Sequence, residues 1–130
     1  MSWREGYSNT PFLYYKGKLL VRGEAPEGIL YCYDAQTGQL LWQNNTIRAT
    51  PSPWGRTDAY NDKWYLTARK GAETDILYCI SIATGEVEWS DYPSRGGAAF
   101  GILIDQQTGY LYCSNAWSIM CIDLNKTPKK

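Results

Sequence analysis

Cysteine is the residue type in this chain with the widest chemistry, since a thiol can form a disulfide, bind a metal or act as a nucleophile. The chain has four cysteines and no histidine, and no two cysteines stand in a Cys-x-x-Cys spacing. This composition excludes a zinc site or a Ser-His-Asp triad built on the chain. Cys32, Cys79 and Cys121 recur at one position of three successive repeats, which predicts buried packing. A disulfide between Cys113 and Cys121 remains an alternative.

Carboxylates offer a second kind of chemistry, since carboxylate oxygens bind calcium. Asp58 and Asp62 stand in an Asp-x-x-x-Asp spacing, and Asp34 and Asp123 lie at matching positions of two repeats. This spacing lacks the dense alternating oxygens of a calcium loop, and we expect these residues to shape turns. The sequence therefore assigns no catalytic, cofactor-binding or metal-binding residue, and no cofactor is expected.

The six tryptophans fall into two groups. Trp3, Trp42 and Trp89 follow a repeat, and we expect them to dock one structural unit against the next. The other three do not follow the repeat. Aromatic rings beside polar side chains suit stacking on a sugar or gripping a peptide, and simple packing is the alternative. The candidate ligand surface consists of Trp54, Trp64, Trp117, Arg56 and Asn115.

These residues are positioned by a repeat. The stretch ILYCYDAQTGQLLW at 29–42 returns as ILYCISIATGEVEW at 76–89, and Gly85 follows Gly38 by 47 residues. Each copy reads as strand, tight turn and strand, because Gly38 and Gly85 supply the positive φ of a hairpin and Asp34 can bond the turn backbone. A period in the forties with several strands per unit is typical of β-propeller blades. The fold class is therefore predicted to be all-β, with about three four-stranded antiparallel blades.

The repeat predicts that residues 1–130 form a partial β-propeller and divides them into blades. Residues 1–9 are predicted to be the outer strand of a shared blade, 10–47 the first blade, 48–94 the second, and 95–130 a third blade that lacks its outer strand. Strands are expected at 11–15, 18–22, 29–34 and 39–43 in the first blade, and at 51–57, 63–69, 76–81 and 86–90 in the second. The third blade has expected strands at 98–105, 110–115 and 118–123, with a hairpin at Thr108-Gly109.

The sequence resembles the repeat of the PQQ-like (quinoprotein-like) β-propellers, which carries Ala-x-Asp-x-x-Thr-Gly-x-x-x-Trp. The first copy matches it from Cys32 through Asp34, Thr37 and Gly38 to Trp42, departing only by Cys for Ala. The second copy has Ser81 in place of Asp, and the third, CIDLNKT at 121–127, lacks the Thr-Gly. The resemblance covers nearly the whole chain, and its motifs specify fold better than activity.

The resemblance implies a binding function. Quinoprotein dehydrogenases of this superfamily carry a vicinal Cys-Cys pair, which is absent here. We therefore expect a non-catalytic protein-binding or scaffold module, comparable to the family's outer-membrane assembly lipoproteins. Two alternatives stay open: a fragment of a PQQ-dependent dehydrogenase whose ligands lie on other blades, and a carbohydrate-binding propeller.

The amino-acid composition makes some classes of binding partner less expected than others. The 13 basic and 13 acidic residues are interspersed and cancel, so nucleic acid is not an expected partner. No apolar run approaches the length of a membrane span, and the first residues do not read as a signal peptide. Protein or peptide is the expected partner, with glycan as the alternative. The resemblance favours a periplasmic or extracellular location, whereas free cysteines suit a reducing cytoplasm.

Three blades do not close a ring, which needs at least about four. An open arc would expose two apolar blade faces and an unpaired edge strand. Both defects disappear in a homodimer, a six-bladed ring in which residues 1–7 of each copy complete the third blade of the other. The alternatives are a piece cut from a longer propeller, or a chain that folds its own N-terminal strand back onto the third blade.

Overall fold

The computed structural model describes residues 12–22, 29–47, 57–69, 75–91, 102–114 and 119–126, which form eleven β-strands and no helix. Sheet 1 contains β1 (Leu13–Tyr15), β2 (Lys18–Arg22), β3 (Leu30–Asp34) and β4 (Leu40–Asn44). Sheet 2 contains β5 (Asp58–Tyr60), β6 (Lys63–Arg69), β7 (Asp75–Ser81) and β8 (Val87–Asp91). Sheet 3 contains β9 (Ile102–Asp105), β10 (Tyr110–Ser114) and β11 (Ile119–Asp123). Among these segments none is a helix that could cross a membrane. The all-β prediction is confirmed.

Each sheet is an antiparallel meander, with consecutive strands hydrogen-bonded in chain order. The first hairpin of sheet 1 turns at Lys16 and Gly17, which have φ values of 47° and 83°, and that of sheet 2 turns at Asn61 and Asp62, with 53° and 65°. Two successive residues with positive φ define the tight turn whose twist matches that of the flanking strands. The hairpins of sheets 1 and 2 therefore share one geometry.

The strands of sheet 1 lie where the sequence predicts them, but the first strand of sheet 2 does not. The sequence predicts a strand at 51–57, of which 51–56 lie outside the described residues, whereas β5 spans Asp58–Tyr60, which the prediction left out of any strand. Asn61 and Asp62 form the turn that Lys16 and Gly17 form in sheet 1, so the strand must end at Tyr60. Asn and Asp tolerate positive φ without glycine, which conceals the turn in the sequence. Pro51 and Pro53 lie outside the described residues.

The sheets pack face to face because side chains alternate along every strand. We call the face that carries Cys32, Cys79 or Cys121 the forward face of its sheet, and the opposite face the rear face. The forward face of sheet 1 and the rear face of sheet 2 share a buried cluster that includes Leu20, Leu30, Cys32, Trp64, Leu66 and Ile80. The forward face of sheet 2 and the rear face of sheet 3 share another, with Tyr65, Leu77, Cys79, Ile104, Leu111 and Cys113.

The cysteines require two corrections to the sequence-based predictions. Cys32, Cys79 and Cys113 are buried, but Cys121 is exposed, and all four thiols are free. In sheet 3, Cys113 pairs with Met120 and Cys121 pairs with Tyr112, so the two thiols lie on opposite faces and cannot bridge. Cys121 is exposed because none of the described strands covers the forward face of sheet 3.

The inter-sheet packing gives a direct stability test. Leu66 is fully buried between sheets 1 and 2, whereas Leu40 is 42% exposed on the outer strand of sheet 1. We expect Leu66→Ala to lower the free energy of unfolding by about 2 to 5 kcal/mol, because the deleted methyl groups leave a cavity. The matched control Leu40→Ala should cost about 0.5 kcal/mol. Urea denaturation at one fixed protein concentration measures both, and equal losses would contradict this packing.

Candidate interaction surfaces

The junction between sheets 1 and 2 is built around Trp42. Its indole Nε1 donates a hydrogen bond of 2.7 Å to the carbonyl oxygen of Ile82. The ring covers Gly85 so closely that a Cβ on this glycine would lie 2.4 Å from a ring carbon. Asn44, two residues along the same strand, donates from Nδ2 to the Gly85 carbonyl at 2.6 Å. Two side chains of β4 in sheet 1 therefore contact the turn between β7 and β8 in sheet 2.

The turn that receives these contacts and the equivalent turn of sheet 1 are both shaped by short polar side chains. In sheet 1 the amides of Gln36 and Thr37 donate to Asp34 Oδ1 at 2.9 and 3.0 Å, and the Gly38 amide donates to the Asp34 carbonyl at 2.8 Å. The Thr37 and Gln36 amides hold the pKa of the Asp34 carboxyl below its usual value. In sheet 2 the hydroxyl of Ser81 accepts from the Thr84 amide at 3.3 Å. The two turns are alike although Ser replaces Asp.

Polar side chains tie the first hairpins of neighbouring sheets together. Tyr15 at the end of β1 donates to Asp62 Oδ1 at 3.0 Å, and the Asp62 amide donates back to the Tyr15 hydroxyl at 2.8 Å. Lys16 Nζ lies 3.2 Å from the same carboxylate, where both side chains are largely exposed. The hydrogen bonds from Lys16 and Tyr15 lower the pKa of Asp62. This carboxylate therefore bridges sheets.

The second junction repeats the arrangement with different partners. Tyr60, at the position of Tyr15, donates to Asn125 Oδ1 at 3.0 Å. Asp58 Oδ2 accepts a hydrogen bond of 3.0 Å from the backbone amide of Ile104. Asp58 and Asp62, the pair considered for calcium, are thus both acceptors at inter-sheet contacts. Among the described residues, no three His, Cys, Asp or Glu side chains are grouped to hold a metal.

Trp89, the counterpart of Trp42 in sheet 2, borders a cleft instead of a closed contact. Its ring centroid lies 5.9 Å from that of Tyr65. The cleft between sheets 2 and 3 has a volume of about 330 Å3 and includes Leu124, Asn125 and Lys126 in its lining. Lys63 and Glu88 form an ion pair in the same lining, and the hydrogen bond to Glu88 raises the pKa of Lys63.

The candidate ligand surface must be corrected at Trp64. This side chain is only 1% exposed, lies 6.4 Å from Trp42 between ring centroids, and donates from Nε1 to Thr57 Oγ1 at 3.0 Å. The indole is buried because β6 turns it to the rear face of sheet 2, where sheet 1 covers it. The other members, Trp54, Trp117, Arg56 and Asn115, lie outside the described residues, as does the proposed docking residue Trp3.

The forward face of sheet 3 is exposed, unlike the forward faces of sheets 1 and 2. Ile119 is 80% exposed, whereas Leu30 and Leu77, which occupy the same position in sheets 1 and 2, are fully buried. Tyr112 stands opposite Cys121 as Leu20 stands opposite Cys32. Leu103 on β9 extends the exposed apolar surface.

The rear face of sheet 1 is exposed along its first strand. Phe12 and Tyr14 are each 65% exposed, whereas Tyr33 is buried at 8% and stacks on Tyr31 with ring centroids 6.0 Å apart. In sheets 2 and 3 the positions of Tyr14 are held by Ala59 and Ile104, which are buried. Among the described sheets, the outer face at each end therefore carries exposed apolar side chains.

The residues missed by the sequence interpretation are those that depend on the neighbouring sheet. Asn44, Ile82 and the Tyr15–Asp62 pair were not singled out, because a backbone carbonyl or a turn carboxylate carries no motif. One signal was present: the Tyr-Asn-Asp-Lys run at 60–63 matches Tyr-Lys-Gly-Lys at 15–18. Aligning these turns would have located both Asp62 and β5.

The three buried thiols have low reactivity. Burial raises the pKa of Cys32 to about 11 and that of Cys79 to about 11, and it also raises the pKa of Cys113. Since the thiolate is the reactive form, these three side chains stay protonated near neutral pH and react slowly. They are core residues of the two junctions.

Three face-packed antiparallel sheets, each a meander of three or four strands, are the blades of a β-propeller, and the structure shows this fold. The chain is similar to the crystal structure of BamB from Moraxella catarrhalis, a β-propeller, with a TM-score of 0.60 and 17% sequence identity. The match covers 91% of this chain and 34% of BamB, so the chain spans about a third of that protein. At this identity the likeness shows the fold alone. No family model and no curated protein matches the sequence.

The Trp42 contact predicts an unequal response of two glycines. We expect Gly85→Ala to lower the free energy of unfolding by about 2 to 4 kcal/mol, because the methyl group meets the Trp42 ring and the residue keeps a positive φ. The control Gly17→Ala shares the positive φ but has nothing within 4 Å of its Cβ, and should cost about 1 to 2 kcal/mol. Denaturation of both variants gives the difference. Equal costs would mean that Trp42 does not rest on Gly85.

Proposed function

We propose that this chain is a non-catalytic β-propeller module of the PQQ-like repeat type that binds protein through the open end of sheet 3. The observation that carries the proposal is the contrast between β11 and its counterparts. β3 and β7 are paired on both sides, whereas β11 is an edge strand among the described residues. An edge strand next to an exposed apolar face can accept a further strand, and backbone hydrogen bonds then supply the affinity.

The complete sheets indicate what such a strand contains. In sheet 1 the outer strand places Trp42 opposite Cys32, and in sheet 2 it places Trp89 opposite Cys79. Both pairings have a register shift directly after the cysteine. An incoming antiparallel strand with a tryptophan opposite Cys121 would reproduce this arrangement. Its ring would cover the forward face beside β11, where Trp42 and Trp89 cover theirs.

The proposed source of the strand is a second copy of the chain. Residues 2–7, SWREGY, match EWSDY at 88–92, with Trp3 at the position of Trp89. Two copies that exchange residues 1–7 would each complete the other's third blade, and three blades from each would give a six-bladed ring. Residues 1–7 lie outside the described part of the chain, and the support for their role is this sequence match together with the open edge of β11.

Light scattering on the purified chain tests the dimer. We expect a mass of about 30 kDa, twice the 14.8 kDa of one chain, because two-fold exchange of a strand gives a closed pair. A monodisperse species with the mass of one chain would contradict the proposal.

Removing residues 1–7 tests the strand itself. The shortened chain should be monomeric, and a fluorescently labelled peptide of residues 1–9 should bind to it with a rise in anisotropy. The matched control is the same peptide with Trp3→Ala, which we expect to bind at least about tenfold more weakly, since an aromatic anchor is typically worth more than 2 kcal/mol. An unchanged dimer after the deletion would place the interface elsewhere, and equal binding of the two peptides would refute the register opposite Cys121.

The competing enzyme hypothesis has its own test. If the chain is a non-catalytic module, adding PQQ with calcium should give no change in the quinone absorbance and no reduction of a redox dye with alcohol substrates. Turnover above a buffer control would contradict the proposal and support the quinoprotein dehydrogenase alternative.

A further inference from the structure

We infer that the forward face of sheet 3 packs on the rear face of sheet 1 of a second copy, forming again the junction that the chain already contains twice. This inference rests on the proposed dimer, to which it adds a second contact between the two copies. The exchanged strand touches only the outer edge of β11. The face contact, in contrast, involves every strand of the sheet.

The first support is the match between exposed and buried positions on forward faces. Leu20 in sheet 1 and Tyr65 in sheet 2 stand opposite the cysteine of their sheets and are buried by the next sheet. Tyr112 holds that position in sheet 3 and is 37% exposed. Ile119 is also exposed at a position whose equivalents, Leu30 and Leu77, are buried. Large apolar side chains are thus kept at positions whose equivalents contact a neighbouring sheet.

The rear face of sheet 1 supplies the other half. Its residues Leu19 and Tyr14 pair with each other as Trp64 pairs with Ala59 and as Leu111 pairs with Ile104. Those four counterparts are buried by the preceding sheet, whereas Tyr14 is largely exposed. The two ends of the arc therefore carry complementary halves of one interface and not two copies of the same half.

This complementarity favours a second copy over other occupants. A forward face that meets a rear face is a head-to-tail contact, which closes when a rotation axis brings both ends of two arcs together.

The internal junction also predicts one contact between the copies. At the second junction Asp58 and Ile104 are joined by a hydrogen bond of 3.0 Å. Leu103 holds the position of Asp58 in sheet 3, and Tyr14 holds the position of Ile104 in sheet 1. Leu103 of one copy should therefore lie beside Tyr14 of the other. β9 is separated from the edge of β11 by β10, so the exchanged strand cannot reach Leu103.

Charged substitutions at these two positions test the face contact. We expect Leu103→Lys and Tyr14→Glu each to weaken the dimer by at least about tenfold in analytical ultracentrifugation, because each buries an unpaired charge. Combining both in one chain puts Lys against Glu at each contact and should recover at least about tenfold of the loss. The matched control Val87→Lys changes an exposed residue of β8 on neither end face and should leave the dimer unchanged.

Alkylation of cysteine shows whether each variant is folded. In the folded chain Cys32, Cys79 and Cys113 should resist iodoacetamide, and their loss of protection marks a variant that fails to fold. Cys121 should be protected in the wild-type dimer and should react in the dissociated variants. An unchanged dimer of folded Leu103→Lys overturns the face contact while leaving the strand exchange intact. Rapid alkylation of Cys121 within the dimer also overturns the face contact, and it counts against the strand register opposite Cys121 as well. A monomeric wild-type chain overturns both.

Discussion

Trp42 resting on Gly85 is the contact that positions sheet 1 on sheet 2. A twisted sheet with two apolar faces has no stable state alone, because each face must be covered. Trp42 covers part of the face at the outer strand of sheet 1. Gly85 has a positive φ and lets the ring approach the backbone, and the carbonyl oxygen of Ile82 accepts a hydrogen bond from Nε1. The turn therefore serves two purposes. It reverses the chain within sheet 2 and provides the seat for sheet 1.

The two junctions between sheets use equivalent positions but different residue pairs. Tyr15 meets Asp62 at the first junction, whereas Tyr60 meets Asn125 at the second, and both hydrogen bonds join neighbouring sheets. These exposed polar pairs add little free energy. They set the register between sheets, while the buried clusters supply most of the stabilisation. The interior of the second junction is packed although a cleft lies beside Trp89.

The sequence predicts what is local and misses what depends on a neighbour. The turns at Gly38 and Gly85 were predictable because positive φ requires special residues, and the strands of sheet 1 follow from them. β5 was misplaced because Asn61 and Asp62 adopt the same turn without glycine. Cys121 and Trp64 were misjudged for a different reason. Equivalent positions in a repeat have equal burial only when each sheet has a neighbour, and an off-pattern aromatic can fill a core.

The composition of the end faces links binding to folding. Ile119 is as apolar as its buried counterparts Leu30 and Leu77, so the chain has not adapted this position to water. Any occupant that covers the end faces removes apolar surface from solvent and binds only the folded arc. It must then stabilise the fold in proportion to its concentration and affinity. For a second copy this makes stability depend on protein concentration, which a fixed intramolecular neighbour would not do. The exposed end faces therefore tie the stability of the fold to whatever covers them.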